Sequence, residues 1–442
     1  MTKQAIRHKT WNIIYKISSF NGNLNARYAE ISKREPLVQK LYHTDDQAER
    51  RELYLKVCEK DPETCKAAIE FFNKVFYFCF RKGFKKVSDW VSNEENDPVK
   101  WDQLFKNERF NEIIKKYARH HAETRKKDLN LQQYHNWDYW YKNTSPDTNC
   151  LYTNQVVPNF KQSLGLIKDF YKDLGFEDIF SQIDFIQKEG SPTYAMIHEK
   201  NGIWLNEVYL SESGAGCKTG SLNYLSVITH ETGHIIQSRQ IKYPHKHFFL
   251  PPNPLNEIVT MFFERLFLSP AFLSRFPDVK TDSNQIYKEL KTENEELLLR
   301  TLNLLEYEDR IYALVQKNKL TDKLLADINS ELKQKYYGFE PNDLEDHSWH
   351  RWCFYLAYSP FKQRAYILGN LLSRIMLDNF LKTLNNNQPT QESIDYLHNM
   401  ITTCSENGSF STWQEYEKAC SLDRPIDTEF VVNGIAKALS QG

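Results

Sequence analysis

Residues 221–240 read SLNYLSVITHETGHIIQSRQ and contain the segment His230-Glu231-Thr232-Gly233-His234. The stretch has helical periodicity, and in a helix the side chains of residues i and i+4 lie on the same face. His230 and His234 can therefore bind one Zn²⁺ together, with Glu231 held beside the ion's open position. This HExxH pattern predicts a zinc helix. The alternative is a helix whose two histidines are hydrogen-bonded to neighbouring groups.

A catalytic zinc site needs a third protein ligand. The extended motif HExxHxxGxxH would supply a histidine, but Gln237 and Gln240 stand where that motif has glycine and histidine. The metzincin class is therefore excluded, and the third ligand must come from elsewhere in the chain.

A proline-rich loop at 242–252 follows the zinc helix, and the sequence then predicts a second helix that starts at Asn253-Pro254. Glu257 lies in the first turn of this helix, 27 residues after the first histidine, and Glu264 follows on the same face. A carboxylate at the head of a second helix is the gluzincin arrangement of ligands, so Glu257 is the predicted third ligand. The alternative is that Glu257 is not a ligand but an ordinary acid of the first turn, a position at which the helix dipole favours negative charge.

The composition is that of a helix-rich globular protein. Of 442 residues, 40% are hydrophobic and 26% are charged, while Gly (15) and Pro (16) are few. Lys+Arg (57) and Asp+Glu (58) almost balance, which argues against partners that need a strongly basic surface, namely nucleic acid and anionic membranes. The eight cysteines form no CxxC pair, and no apolar run follows the basic residues at the start. We therefore expect a reducing, cytoplasmic location.

The hydrophobic patterns predict a mainly helical chain with one small sheet. Three short stretches with β-branched and aromatic residues at alternate positions predict strands at 183–186, 192–198 and 202–210. Periodic segments predict helices at 65–84, 99–127, 157–174, 221–241, 254–268, 285–316, 319–336, 347–385, 390–405 and 427–440. The polar cluster at 92–98 is a predicted loop. We expect an N-terminal helical lobe at 1–105 and a catalytic region at 106–442.

The sequence resembles the oligoendopeptidase F and thimet oligopeptidase family of zinc metallopeptidases over roughly residues 110–442. The segment from His230 to Ser238 is similar to that family's HExGH helix, and Asn256–Glu264 is similar to its ligand helix. Weaker similarity extends to the segments 129–138, 202–207 and 359–369 and to the tail 408–439. The strand motif differs, because the family's Gly-Ala-Tyr-Ser is here Ser191-Pro-Thr-Tyr-Ala.

The resemblance implies a zincin-like catalytic region, with a small sheet beside the HExxH helix and helical lobes around a channel that admits short peptides. It implies one Zn²⁺ per chain on His230, His234 and Glu257, with Glu231 as general base and no obligate protein partner. Glu264 would support a ligand histidine, and Tyr366 would stabilise the oxyanion. Three further residues are candidates for substrate binding, namely Tyr358, His350 and Tyr355.

Two other functions stay open. One is a zinc metallocarboxypeptidase on the same scaffold, in which a cation such as Arg351 or Arg364 would hold the free carboxylate of the substrate. The other is a helical protein that binds zinc without turnover.

Overall fold

The computed structural model describes residues 33–81, 87, 97–139, 157, 159–187, 193–200, 203–210, 219–242, 255–274, 283–317, 319–341, 346–350, 356, 361–408 and 411–440. Helices dominate these residues, and three strands form one small sheet. The predicted fold class is confirmed. Among the helices described, none combines the length and the apolar character of a membrane span.

The elements are numbered in chain order. The first part of the chain contains helices α1 Glu35–Tyr42, α2 Gln47–Val57, α3 Pro62–Arg81, α4 Trp101–Leu104, α5 Glu108–Asp128, α6 Asn136–Tyr139, α7 Phe160–Asp173 and α8 Glu177–Phe180. Strands β1 Ile183–Gln187, β2 Tyr194–Lys200 and β3 Ile203–Leu210 follow. The remainder contains α9 Leu222–Arg239, α10 Ile258–Phe267, α11 Pro270–Leu273, α12 Ser283–Gln316, α13 Asp322–Tyr337, a 3₁₀ turn His347–Trp349, α14 Gln363–Leu381, α15 Gln391–Ser405, α16 Trp413–Ala419 and α17 Thr428–Ser440.

The chain divides into two compact units. Unit 1 comprises Met1–Thr148, Leu299–Arg364 and Val432–Gly442, and unit 2 comprises Asn149–Leu298 and Ala365–Val431. The predicted lobe 1–105 lies within unit 1, whereas the predicted catalytic region 106–442 contributes to both units. The boundary at 105/106 stays a prediction.

Unit 2 contains the sheet, in the order β1-β3-β2. Strand β3 lies in the middle, parallel to β1 with Ile183 opposite Asn206, and antiparallel to β2 with Tyr194 opposite Tyr209. Helix α9 packs against β2 and β3, and α10 packs along α9. Strand β2 is thus the edge strand of the described sheet on the side of the HExxH helix.

The HExxH helix starts and stays in place for local reasons. The Ser221 hydroxyl accepts a hydrogen bond from the Tyr224 amide (3.1 Å) and caps the helix at the predicted position. Further along, the buried Tyr171 hydroxyl of α7 donates to the Thr229 carbonyl (2.8 Å), directly before the first histidine. Tyr171 also meets Phe263 of α10 edge to face, with ring centroids 5.3 Å apart. An aromatic core therefore anchors the backbone that carries the motif.

Two helices predicted as single segments are interrupted. In the segment 99–127 the Asn107 side chain accepts from the Phe110 amide (3.0 Å) and starts a new helix, α5, after the short α4. In the segment 347–385 Phe361 has φ of 58°, a value that no right-handed helix contains, and α14 begins only at Gln363. The longer predictions were wrong at these points.

Unit 1 contains a fully buried ion pair. Arg50 of α2 donates from Nε (3.1 Å) and Nη2 (2.8 Å) to one carboxylate oxygen of Asp138, and both residues are at most 1% exposed. The other oxygen of Asp138 accepts from the Gln47 side chain (2.9 Å) and the His135 amide (3.0 Å). Both oxygens of the Asp138 carboxylate therefore accept hydrogen bonds, and they fix α2 to α6.

We expect Asp138→Ala to lower the free energy of unfolding of unit 1 by about 3–5 kcal/mol, because it leaves the Arg50 guanidinium buried without its counter-charge. Urea-induced unfolding followed by tryptophan fluorescence measures this. Asp327→Ala is the matched control, because it removes the exposed pair Lys323–Asp327 (2.7 Å), which is worth at most about 1 kcal/mol. Equal small losses in both variants would contradict the assignment.

Candidate metal centre and active site

Helix α9 is buried on nearly all sides. Of its residues before the last turn, those that solvent partly reaches form one stripe with helical spacing: Asn223, Val227, His230, Glu231 and His234. Leu225, Ile228 and Ile236 on the other faces are completely buried. The two histidines and the glutamate of the motif therefore lie on the accessible face of an otherwise buried helix, and the histidines share that face as the i, i+4 spacing predicts.

Glu257 comes to this stripe from the next helix. The sequence predicted Glu257 in the first turn of this helix. In the structure α10 begins at Ile258, and Glu257 is the residue directly before it, because residues 255–257 form a bend and a turn. Its Oε2 lies 3.2 Å from His230 Nε2 and 3.6 Å from His234 Nε2, and the residue is only 2% exposed. The predicted start at Asn253-Pro254 lies outside the described residues.

The donor set fits a zinc ion. One ligand atom from each of His230, His234 and Glu257 lies within 4.8 Å of the other two. Two imidazole nitrogens and one carboxylate oxygen form the His₂Glu set of catalytic zinc sites, which keep a fourth position open. The two histidines are 16% and 14% exposed, so solvent reaches the site on the side that they form.

Two glycines bring the ligands together. A Cβ atom on Gly233, inside the motif, would lie 3.1 Å from the Thr260 Cα of α10, so glycine allows the two ligand helices to approach closely. A Cβ atom on Gly369 of α14 would lie 2.5 Å from the Met261 sulfur and 3.2 Å from the Glu257 carbonyl oxygen. Gly233 could be singled out from the sequence because it belongs to the HExGH pattern. The contact of Gly369 could not, because no residue near Gly369 in the chain indicates it.

Glu264 orients the first histidine. Its Oε2 lies 3.2 Å from His230 Nδ1, which fits an Nδ1–H donor and leaves Nε2 to face the metal site. Burial opposes protonation of His230, but the hydrogen bonds with Glu257 and Glu264 outweigh burial and raise the pKa of His230 well above its ordinary value. Glu257, directly before α10, and Glu264, within it, thus hold the imidazole from both sides.

Glu231 points toward the sheet. Its Oε2 accepts a hydrogen bond from the Ala195 backbone amide (2.8 Å) of edge strand β2. Because this amide donates to Glu231, we assign it to the row of backbone groups of β2 that faces away from β3. The contact joins the residue that follows His230 in the chain to the edge of the sheet. Sequence reasoning did not identify Ala195, although it belongs to the altered strand motif 191–195.

The other predicted site residues lie in different places. Tyr366 lies on α14, partly exposed, one turn before the glycine that contacts the Glu257 backbone. His350 lies in unit 1, 2% exposed, with its Nε2 3.2 Å from the Cys65 sulfur. Tyr355 and Tyr358 lie outside the described residues.

Arg364 is not placed to bind a substrate carboxylate. It is 2% exposed, with its guanidinium 4.7 Å from the ring centroid of Phe361 and 5.5 Å from that of Trp101. Arg351, the other cation considered for this role, lies outside the described residues.

No protein-family model matches the sequence, and no curated protein matches it. Solved structures do match. A PZ peptidase A determined with an inhibitor is similar at a TM-score of 0.70 and 15% identity, over 98% of this chain and 77% of that one. A candidate oligoendopeptidase F from Bacillus anthracis gives 0.64 and 14%, over 100% of this chain and 75% of that one. An M32 carboxypeptidase from Deinococcus radiodurans gives 0.54 and 12%, over 98% and 84%.

These likenesses define the class of fold. The chain has the helical fold shared by oligoendopeptidase F and related zincin-type peptidases, as the sequence resemblance implied.

Proposed function

We propose that this protein is a zinc-dependent metalloendopeptidase, an oligopeptidase, that hydrolyses peptide bonds in short peptides. The observation that carries the proposal is the convergence of His230, His234 and Glu257 at one accessible stripe, with Glu231 beside them at the edge of the sheet. The fold shared with peptidases supports it.

One zinc ion per chain would be held by the two Nε2 atoms and the Glu257 carboxylate. When bound, zinc supplies Lewis acidity toward a peptide carbonyl and lowers the pKa of water. Glu264 keeps the His230 ring in the ligating tautomer. The 2% exposure of Glu257 protects its carboxylate from competition by bulk water.

Glu231 is the general base. Its carboxylate takes a proton from the attacking water and passes it to the nitrogen of the leaving amine. The hydrogen bond from Ala195 fixes Oε2, so that the other oxygen, Oε1, is the one that accepts the proton. A base held in this way needs no rotamer change during the reaction.

The edge of β2 is the surface on which the peptide substrate lies. The outward-facing row that begins at Ala195 continues with Ile197 and Glu199, because strand residues alternate in direction. An extended peptide would add to this row by backbone hydrogen bonds, which bind a main chain of any sequence. This mode suits short, unfolded peptides, whose backbone donors and acceptors are free.

Tyr366 is the proposed donor to the oxyanion, and Tyr355, Tyr358 and His350 stay predicted substrate contacts. We expect Tyr366→Phe to lower kcat about 10²–10³-fold with little change in KM, since loss of one such donor costs about 3–4 kcal/mol. Steady-state kinetics on one peptide measures this. Tyr396→Phe, a partly buried tyrosine of the same unit, is the control. An unchanged kcat in Tyr366→Phe would make Tyr366 a packing residue and move the role to Tyr358 or His350.

A zinc metallocarboxypeptidase is the second candidate, because the M32 carboxypeptidase shares the fold. Such an enzyme needs a cation for the terminal carboxylate of the substrate. The buried, ring-stacked Arg364 weighs against that residue in this role. Metal binding without turnover is the third candidate.

A library of peptides of several lengths, each with a free or an amidated C-terminus, separates the three candidates. We expect cleavage at internal bonds regardless of amidation, loss of cleavage with a chelator and recovery with added zinc. Release of single residues only from free C-termini would show a carboxypeptidase. Bound zinc without cleavage of any peptide would show the non-catalytic alternative.

We further place the protein in the reducing cytoplasm, as a peptidase that acts without nucleic acid, membrane or obligate protein partner. The near balance of charges supports this. So do five buried free cysteines among the described residues, namely Cys58, Cys65, Cys79, Cys404 and Cys420.

A further inference from the structure

Unit 1 contains a second cluster of metal-ligating side chains. Cys65 of α3, His347 of the 3₁₀ turn and His350, which directly follows that turn, each offer a ligand atom, and these atoms lie within 4.8 Å of one another. The three residues are 3%, 3% and 2% exposed. We propose that Cys65, His347 and His350 bind a second divalent transition-metal ion, of which zinc is the expected one.

The chemistry of the donors favours a metal ion. A thiolate and two imidazoles suit zinc, cobalt and related ions. The 3.2 Å contact between Cys65 Sγ and His350 Nε2 would by itself be a hydrogen bond of a buried thiol. It would not explain why His347 brings a third ligand atom to the same point. A metal ion uses all three.

The turn that carries the histidines is held rigidly. Its cap, Asp346, accepts from the Ser348 amide (2.9 Å), from Lys333 Nζ (2.7 Å) and from the Tyr54 hydroxyl (2.8 Å), all in the buried interior. In a 3₁₀ helix residues i and i+3 eclipse, so the spacing of His347 and His350 places both rings on one side. Ligands held by such a network bind without reorganisation.

Hydrogen bonds at the start of α3 also fix the turn that carries Cys65. The Asp61 carboxylate accepts from the Thr64 hydroxyl (2.7 Å) and amide (3.3 Å) at the start of α3, in the turn that carries Cys65. Asp61 interacts electrostatically with both Cys65 and His350, and the cations Lys60 and Arg34 act in the opposite direction on Cys65 and His350 respectively.

Cys65 also borders a surface cavity. This cavity of about 390 Å³ has Cys65 in its wall, together with Lys60, Lys66, Glu70 and Asp322. Lys60 pairs with Asp322, so part of the charge of this cavity is neutralised. Water in the cavity can supply the fourth ligand. On binding, the thiol proton leaves to solvent as the sulfur–metal bond forms, and the imidazoles bind through lone pairs.

The ion would fasten α3 to a turn that lies 282 residues later in the chain. This role differs from that of the centre in unit 2 and does not depend on peptidase activity. It assigns His350 to a metal instead of a substrate, and it raises the metal content from one to two ions per chain.

Cobalt binding to the full chain tests the proposal, because only a sulfur ligand gives the intense near-ultraviolet thiolate-to-cobalt charge-transfer band. The centre of His230, His234 and Glu257 offers no sulfur. We expect the wild-type chain to bind two Co²⁺ with this band, and the double variant His230→Ala/His234→Ala to bind one Co²⁺ with the band unchanged.

Cys65→Ser should bind one Co²⁺ and lose the band. Cys79→Ser, which changes another buried cysteine of the same helix, should keep it. Circular dichroism checks the fold of both variants. If Cys65→Ser does not fold, X-ray absorption of the zinc-loaded wild-type chain answers instead, with one sulfur expected at about 2.3 Å. The proposal would be overturned if the wild-type chain bound only one Co²⁺ or if the band persisted in Cys65→Ser. It would also be overturned if X-ray absorption showed zinc without a sulfur neighbour.

Discussion

His234→Ala is expected to remove the metal ion of the unit 2 centre and to reduce peptide hydrolysis to background. The substitution leaves His230 and Glu257, and two ligands cannot hold zinc in a four-coordinate site. His230→Ala should behave in the same way, with the added loss of the contact to Glu264. Metal content by elemental analysis and cleavage of one internally quenched peptide measure the two effects.

The control for this experiment is His120→Ala, because His120 is an exposed histidine of α5 and not one of the three candidate ligands. It should change neither measurement. Full metal occupancy in the double variant His230→Ala/His234→Ala, measured in a Cys65→Ser background, would show that the metal is held elsewhere.

Glu231→Gln is the second large expected effect, with the metal retained and kcat lowered about 10²–10⁴-fold. Glutamine has the same shape, and its amide oxygen can still accept from the Ala195 backbone, so the local structure is preserved. The amide cannot take the proton of the attacking water. Kinetics and metal content are measured on the same preparation.

Glu257→Gln provides the contrast. This variant removes the negative charge from a 2% exposed ligand, and we expect it to weaken metal binding first and activity as a consequence. Added zinc should therefore restore part of the activity of Glu257→Gln and none of that of Glu231→Gln. The opposite pattern would exchange the two roles.

The metal ligands could be proposed from the sequence because the signal is local. His230 and His234 are one helical turn apart, so their common direction follows from helix geometry alone. To predict that Glu257 and Glu264 lie near these histidines, we needed only the assumption that the next helix packs along the HExxH helix. The structure places His230 between these two carboxylates.

Other features depend on contacts between distant segments and could not be predicted in this way. The bond from Ala195 to Glu231 joins residues 36 positions apart. The contact of Gly369 with the Glu257 backbone joins residues more than a hundred positions apart. Hydrophobic periodicity says which face of a helix is buried but not which segment covers it, and it continued through Phe361, where the backbone turns.

The spacing of the two ligand helices has a consequence for ion choice. Gly233 lets α9 approach α10, the helix that directly follows Glu257. Side chains can rotate to suit many ions, but two packed backbones cannot easily separate. If zinc binds here as proposed, a methyl group on Gly233 would push α9 and α10 apart and lengthen the distances between the ligand atoms, and Gly233→Ala would then favour larger ions, such as cadmium, over zinc. The choice of ion at the proposed centre would then depend on how closely two backbones pack, as well as on the identity of the ligands.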